Sequence, residues 1–514
     1  MLQLQNISIS MRKDLRELLR DFTFSLNPGD KAAVIGEEGN GKSTLLKLIY
    51  DENMVEGYVE WSGTVRKNGL VLGYLAQELP AEDKWKTAYE FCCEESSFLD
   101  STPRELADAA AELRFPQELF YSDRTMGALS GGEKVKLRMA LLTLRRPDCY
   151  LLDEPSNDLD IETLEWLEEF IRGCPQPVLY ISHDEMLLEN TANVILHMEQ
   201  LRRKTLPRWT VARMGYRRYV EERLQSFSHQ EQVARKEREE EKKQQERFQK
   251  IQQKVEHQLN SISRGDPHGG RLLKKKMKSV KAMEHRFDRE HQAMTELPDT
   301  EEAILVGFGE NTGIPAGKTV LDLSLPRLTA GEGEEEKLLA ENLRLSVRGP
   351  EHICIIGKNG AGKTTLLRRL ARELLPRTDL RVSYMPQDYE ETVEQEQTPV
   401  EFLASSSEKA ELTRVKTYLG SMKYTPEESE HSIRELSGGQ KAKLFFLKMI
   451  LDGSNVLLLD EPTRNFSPLS GPVIRGILRE FKGCIISVSH DRKYIEEVCE
   501  TLYELTEKGL EEKS

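Results

Sequence analysis

The chain has 514 residues, 38% apolar and 31% charged, with a formal net charge of −14. That length allows two or three domains with ordinary cores, while the acidic balance excludes nucleic-acid binding through the whole surface and leaves only local basic patches. No run of about 18 apolar residues occurs, which excludes a membrane-spanning helix.

The chain opens on MLQLQNISIS, which reads as a strand. It lacks the basic segment and apolar core of a secretion signal, so an intracellular protein is expected. The seven cysteines agree with a reducing compartment. Their number is odd, no CxxC pair occurs, and Cys149 and Cys354 fall inside apolar runs that read as core strands.

KAAVIG (31–36) is an apolar strand that runs into Gly36-Glu37-Glu38-Gly39-Asn40-Gly41-Lys42-Ser43-Thr44. This fits GxxxxGK[ST]. Glycines let backbone N–H groups curl around phosphates, the helix starting at Lys42 points its positive end at them, Lys42 reaches the terminal phosphates, and Ser43 offers a hydroxyl to a magnesium ion. Gln77, in GYLAQE, follows at a point where a side chain can sense the metal and the terminal phosphate. LSGGE (129–133) opens a helix, and Ser130, Gly131 and Gly132 bind phosphate through N–H groups if they bind it at all. YLLDEP (150–155) ends a strand on Asp153, placed to hold the metal shell, and Glu154, placed to polarise an attacking water. A lone Asp-Glu pair at a strand end is more often a helix N-cap. His183, in YISHD, follows another apolar strand and is a candidate contact for the terminal phosphate.

Residues 215–262 are rich in Glu, Gln, Lys and Arg, all good helix formers. Phe248, Ile251, Val255, Leu259 and Ile262 recur at three- and four-residue steps, and Leu273, Met277, Val280, Phe287 and Met294 do so on a return path. SRGDPHGG (263–270) lies between them and reads as a turn. The pattern predicts an antiparallel helical hairpin with a coiled-coil seam. Residues 235–247 contain no apolar side chain and must be solvated. Basic residues cluster twice. Arg202, Arg203, Lys204, Arg208, Arg213, Arg217 and Arg218 stand without an acid between 200 and 220, and Arg264, Arg271, Lys274, Lys275, Lys276, Lys278 and Lys281 stand against Asp266 alone. Such local excesses in an acidic protein point to phosphate contacts; the plainer alternative is a solvated helix face.

Every motif of the first part then returns. HICIIG leads into Gly357-Lys358-Asn359-Gly360-Ala361-Gly362-Lys363-Thr364-Thr365, followed by Gln387 in SYMPQD, Ser437-Gly438-Gly439 in LSGGQ, Asp460 and Glu461 in LLLDEP, and His490 in SVSHD. The Ser130–Glu154 and Ser437–Glu461 intervals are equal, as are Glu154–His183 and Glu461–His490. Chance does not repeat ordered motifs at matched spacing, so the N-cap and surface-glutamine alternatives lose their weight. The expected fold is α/β: a first nucleotide-binding domain over 1–199, a basic helical-hairpin linker over 200–302, and a second such domain over 303–514.

This order of motifs resembles the ATP-binding cassette family over about four-fifths of the chain. The resemblance implies ATP and Mg²⁺ as ligands and two cassettes facing head to tail within one monomer. The first site would comprise Lys42, Ser43, Gln77, Asp153, Glu154 and His183 with Ser437 and Gly439. The second would comprise Lys363, Thr364, Gln387, Asp460, Glu461 and His490 with Ser130 and Gly132. In both, Ser or Thr, Gln and Asp would hold the metal, and Glu and His would serve catalysis. Two fused cassettes with a long charged linker look like the F subfamily, cytoplasmic translation factors of the ribosomal E site. EPTRNFSPLSGPVIR (461–475) looks like its antibiotic-resistance branch. That implies a linker directed at P-site tRNA and the peptidyl-transferase centre, with Arg264, Arg271, Lys274, Lys275, Lys276 and Lys278 contacting ribosomal RNA. A housekeeping translation factor is the alternative. A transporter ATPase subunit needs only a passive tether, and a DNA-repair ATPase carries far longer coils or zinc modules. Asp158 and Asp160 follow the first Glu-Pro, whereas Phe466 and Ser467 follow the second, so the repeats depart from each other there. Residues 1–21 contain no aromatic side chain to stack a base.

Overall fold

The computed structural model describes residues 1–201, 205–261, 307–309, 312–330, 337–393 and 396–513, with 275, 277 and 278. Two compact units result, Met1–Tyr216 with Glu301–Ser514, and Arg217–Thr300.

The first unit contains the same α/β body twice. In the first copy, β1 (Leu2–Met11), β2 (Glu17–Leu26) and β3 (Lys31–Ile35) lead into helix α1 (Lys42–Tyr50), and β4 (Val59–Arg66) and β5 (Leu72–Leu75) follow. A helical segment with α2 (Ala88–Cys93), α3 (Ser96–Leu99) and α4 (Pro103–Glu112) precedes α5 (Gly131–Leu144). The copy closes with β6 (Cys149–Leu152), α6 (Ile161–Gly173), β7 (Val178–Ile181), α7 (Glu185–Thr191), β8 (Val194–Gln200) and β9 (Leu206–Ala212). The main sheet has the order β5-β6-β7-β3-β8-β9, parallel except for the β8–β9 pair. Its central strands are buried on both faces, which explains their continuous apolar runs rather than alternation. β1, β2 and β4 form a second, antiparallel sheet. Both sheets pack into one core with α1 through Leu45, Leu46, Leu48 and Ile49.

β9 corrects the expected boundary at residue 199. It pairs with β8 from Ile195 against Ala212 to Gln200 against Pro207, so residues 206–212 are an edge of the first sheet and not linker. Arg208 faces the buried Glu199 at 3.3 Å, and Arg213 pairs with Asp30 at 3.0 Å. Part of the first basic run is thus committed to its own domain.

The linker unit contains α8 (Tyr216–Ser261), 46 residues long, or about 70 Å at 1.5 Å per residue. Its charged surface is laced by Arg217–Glu221 and Arg218–Glu222 pairs four residues apart, and the Arg223 guanidinium lies over the Phe227 ring. The turn at 263–270 and nearly all of the return path, with Arg264, Arg271, Lys274 and Lys276, lie outside the described residues. Lys275 and Lys278 are helical and exposed.

The second copy runs β10 (Thr319–Ala330), β11 (Lys337–Arg348), β12 (His352–Ile356), α9 (Lys363–Leu374), β13 (Val382–Met385), α10 (Pro399–Leu403), α11 (Lys409–Ser421) and α12 (Pro426–Glu430). It ends with α13 (Gly438–Leu451), β14 (Val456–Asp460), α14 (Gly471–Arg479), β15 (Cys484–Val488), α15 (Arg492–Val498), β16 (Thr501–Thr506) and β17 (Gly509–Lys513). Its sheet order, β13-β14-β15-β12-β16-β17, repeats the first.

The copies meet through a buried ionic cluster. Arg475, 2% exposed, binds Glu185 with both guanidinium nitrogens and holds Glu497 with its Nε at 2.9 Å. Arg492 reaches Glu168 and Asp184, and Lys493 reaches Glu185 and Glu189. Burial alone pushes the Glu185 carboxyl up, and Arg475 opposes that shift. Such a cluster costs desolvation yet makes each partner indispensable to the other. Arg475→Ala leaves the buried Glu185 carboxylate to the longer Lys493 pair at 3.4 Å and is expected to cost about 3–5 kcal/mol, measured as a lower urea midpoint of the full chain; an unchanged midpoint would show that the cluster is idle.

Candidate functional site

Parallel strands expose their carboxyl ends along one edge of the sheet, where ligands bind in open α/β folds. β3 ends at Gly36, β5 just before Gln77, β6 at Asp153 and β7 just before His183, so one edge collects the first set of motifs. β12, β13, β14 and β15 do the same for Gly357, Gln387, Asp460 and His490.

The glycines are required by geometry. A Cβ on Gly36, whose φ is +143°, would lie 2.1 Å from the Met198 carbonyl oxygen, and one on Gly357 would lie 2.6 Å from that of Leu505. Gly41 and Gly362 cap α1 and α9 in the left-handed conformation. Lys42 is buried and donates to the Gly36 and Glu37 carbonyls at 2.8 and 3.0 Å, and Lys363 does likewise to Gly357 and Lys358. Each ammonium therefore sits inside its own loop at a helix N-terminus, an arrangement suited to phosphate.

Around the first loop, Ser43 donates to Asp153 at 2.8 Å and Tyr74 donates to the other Asp153 oxygen at 3.2 Å. Gln77 donates to Glu154 at 2.7 Å, Asn157 binds the same carboxylate, and His183 Nε2 stands 3.6 Å from it. Burial pushes Glu154 up, but His183, Lys42 and Asn157 outweigh it and hold the carboxyl at about 2. His183 Nδ1 donates across the interface to the Phe466 carbonyl at 2.9 Å. In the second copy, among the described residues, Glu461 accepts only from the His490 N–H and Ser489, and burial raises it to about 8. Burial raises Asp460 to about 6, and both its oxygens lack a hydrogen-bond partner among the described residues. An orphaned buried carboxylate on the cavity wall beside Thr364 and Gln387 fits a divalent cation. Glu154 and Glu461 share φ values near +50°, 49° and 51°, a strained backbone typical of functional positions.

The two signature loops face the opposite copy's phosphate loop. Ser130 and Ser437 cap their own helices, in boxes with Glu133 and Gln440, which leaves the glycine N–H groups for other partners. Gly439 donates to Glu38 at 2.8 Å. On the other side a cavity of about 1560 Å³ is lined by Ser130 and Gly131 together with residues 358–365, Glu461 and His490. The structure thus brings the first-site residues near Ser437 and Gly439, and the second-site residues near Ser130. Glu37 and Glu38 turn outward to the other copy, to Lys443, Ser467 and Ser470 as well as Gly439. Sequence reasoning missed Tyr74, Asn157, Lys443, Ser467 and Ser470. The tyrosine three residues before each glutamine, Tyr74 and Tyr384, was the available signal; Asn157 binds Glu154 only three residues away, whereas Lys443, Ser467 and Ser470 meet Glu37, which lies on the opposite copy's loop far away in sequence.

The comparisons agree with this architecture. The ABC transporter family matches residues 19–157 and 340–464, and the chain belongs to that family, with two ATP-hydrolysing cassettes. A relative carrying the F-subfamily name, ABC transporter F family member 2 of Arabidopsis thaliana, is 26% identical over 99% of this chain and 77% of its own. Ribosome protection protein VmlR of Bacillus subtilis is 26% identical over 99% and 87%, and energy-dependent translational throttle protein EttA of Haemophilus influenzae is 27% identical over 96% and 90%. Among solved structures, the archaeal ribosome recycling factor aABCE1 in complex with stalk protein aP1 has the same fold, with a TM-score of 0.58, 18% identity, and 98% and 89% of the two chains covered. No helix among the described residues is long and apolar enough to cross a membrane.

Gly36→Ala places a methyl group where Met198 already stands, so the full-length variant is expected to bind one ATP where the parent binds two, counted by equilibrium binding of labelled ATP. Gly39→Ala meets nothing within 4 Å, though its φ is +79°, and should lose less. Equal behaviour of the two variants would contradict the steric argument.

Proposed function

We propose that this ATPase works on the ribosome, binding at the E site and protecting the ribosome from antibiotics through a linker aimed at the P-site tRNA and peptidyl-transferase centre. The observation that carries the reading is the combination of two complete cassettes in one chain with a 46-residue, largely solvated helix between them. Near-full-length similarity to proteins named for ribosome protection and translational throttling supports it. A cytoplasmic monomer whose own cassettes close on each other follows from the same reading.

The two sites are composite. Lys42 and Ser43 hold the triphosphate of the first ATP while Ser437 and Gly439 meet its terminal phosphate from the other side; Lys363 and Thr364 face Ser130 and Gly132 in the same way. Ser43, Gln77 and Asp153, and Thr364, Gln387 and Asp460, would hold Mg²⁺, which neutralises charge on the β- and γ-phosphate oxygens. Glu154 and Glu461 orient and polarise the attacking water, and His183 and His490 sit beside them against the terminal phosphate. Binding energy from both faces then closes the sandwich, and hydrolysis removes the group that both faces share. In the linker, Arg264, Arg271, Lys274, Lys275, Lys276 and Lys278 supply phosphate contacts with ribosomal RNA.

Glu154→Gln with Glu461→Gln keeps shape but removes the carboxyl groups that orient and polarise the attacking water. The variant is expected to bind ATP, lose nearly all turnover, and pellet with ribosomes in an ATP-dependent manner. Lys274, Lys275 and Lys276 changed to Glu should weaken that pelleting and flatten its salt dependence, because fewer counterions are released. Pelleting indifferent to ATP and to these charges would sink the ribosome reading. Raised inhibitory concentrations for lincosamides, pleuromutilins or streptogramins A on expression support protection; unchanged values assign the chain to the housekeeping translation factors instead.

A further inference from the structure

The third residue of each phosphate loop sends its side chain into the opposite copy. In the second loop it is Asn359, which donates to the Asp158 carbonyl. In the first it is Glu38, whose carboxylate accepts from the Gly439 N–H at 2.8 Å. Gly439 lies in the first turn of α13, where free N–H groups and the helix dipole attract an anion. Space confirms the fit: a Cβ on Gly438 would lie 3.0 Å from Glu38 Oε2. Glu37 holds the loop in this position. It accepts from Lys443 at 2.9 Å, Ser470 at 3.0 Å and Ser467 at 3.3 Å. Burial pushes the Glu37 carboxyl up, but Lys443, Ser470 and Lys42 outweigh it and keep it below the usual range, so it is an anion in its pairing with Lys443. Among the described residues the second site has no counterpart. Its nearest equivalent, Lys358 with Glu162, is 3.9 Å long and 81% exposed on each side, a geometry worth little.

We propose that Glu38 is an internal rival of the terminal phosphate, latching the first site shut by itself and leaving the second site as the one that distinguishes ATP from ADP. This rests on the composite-site reading above. A signature N–H already satisfied by a carboxylate gains little from a γ-phosphate, and two anions on one N–H repel. Triphosphate and diphosphate therefore bind the first site with similar strength, while closure at the second site still requires the γ-phosphate.

The test uses the full-length chain carrying Lys363→Ala, so that nucleotide binds the first site only, with competition against a fluorescent ATP analogue. The parent ratio of ADP to ATP dissociation constants is expected near one. Glu38→Asn, which installs the residue found at 359, is expected to raise that ratio about tenfold by freeing the N–H. Glu38→Gln, which keeps the reach and drops the charge, should move it in the same direction. A ratio within twofold of the parent in both variants overturns the latch. Ser437→Arg in the same background separates two failures. If it leaves ATP affinity unchanged, the composite site is wrong and the latch falls with it. If it weakens ATP while the Glu38 variants leave the ratio alone, the latch alone is wrong.

Discussion

A strand that ends against its neighbour's carbonyl sets the terms for everything at both sites. Met198 and Leu505 stand where a Cβ on Gly36 or Gly357 would be, at 2.1 and 2.6 Å. Only glycine lets the chain turn that close to the sheet, and the turn is what folds the next residues into a cup of N–H groups. The lysine at the base of each cup is buried because the loop carbonyls receive its protons. A buried ammonium without such acceptors would lose its charge to desolvation, and the cup would lose its attraction for phosphate. The rest of the apparatus, from Asp153 to His490, is positioned by being on the same sheet edge.

The two copies share this frame but not the contacts that join them. Where the first copy has Asn157 beside Glu154, the second has Arg464, which leaves its own glutamate and pairs with Asp158 across the interface at 3.0 Å. Glu154 consequently gains side-chain donors from Gln77 and Asn157, while Glu461 relies on one backbone N–H and one serine. Ser467 stands where the first copy has Asp160, and it and Ser470 donate hydroxyl hydrogen bonds to Glu37. Symmetry of the fold therefore coexists with asymmetry of charge, and the asymmetry was built by exchanging single residues in loops whose backbones stayed the same.

Much of this was legible in the sequence because the determinants are local. Glycine spacing, apolar strands and strand-end carboxylates each depend on a few consecutive residues, and the repeat supplied an internal control. What escaped was non-local. Residues 206–212 place Pro207, Trp209 and Val211 two apart with Arg208 and Thr210 between them, an alternating pattern that suits a one-sided edge strand, but the surrounding arginines made them read as linker. Glu37 and Glu38 belong to a loop whose pattern describes its backbone and says nothing of their side chains, which reach the opposite copy. Lys443 and Arg475 lie on helices and look like surface cations until their partners, 406 and 290 residues away in the chain, are brought against them.

The position of β9 also changes where attraction for phosphate can reside. Among the first run's described basic residues, Arg208 faces a buried carboxylate and Arg213 binds both Asp30 and the Ser25 carbonyl. Arg217 and Arg218 are paired only at an exposed helix surface, where a pair contributes about 0–1 kcal/mol and yields readily to a stronger anion. Releasing Arg208 would take an ion-pair partner from Glu199, which is fully buried, and that loss opposes its use in a phosphate contact. The first run is therefore half structural. Of the seven basic residues between 264 and 281, Lys275 and Lys278 are described, and both are exposed, in contrast to Arg208 and Arg213, whose charge is engaged within the first sheet's own domain.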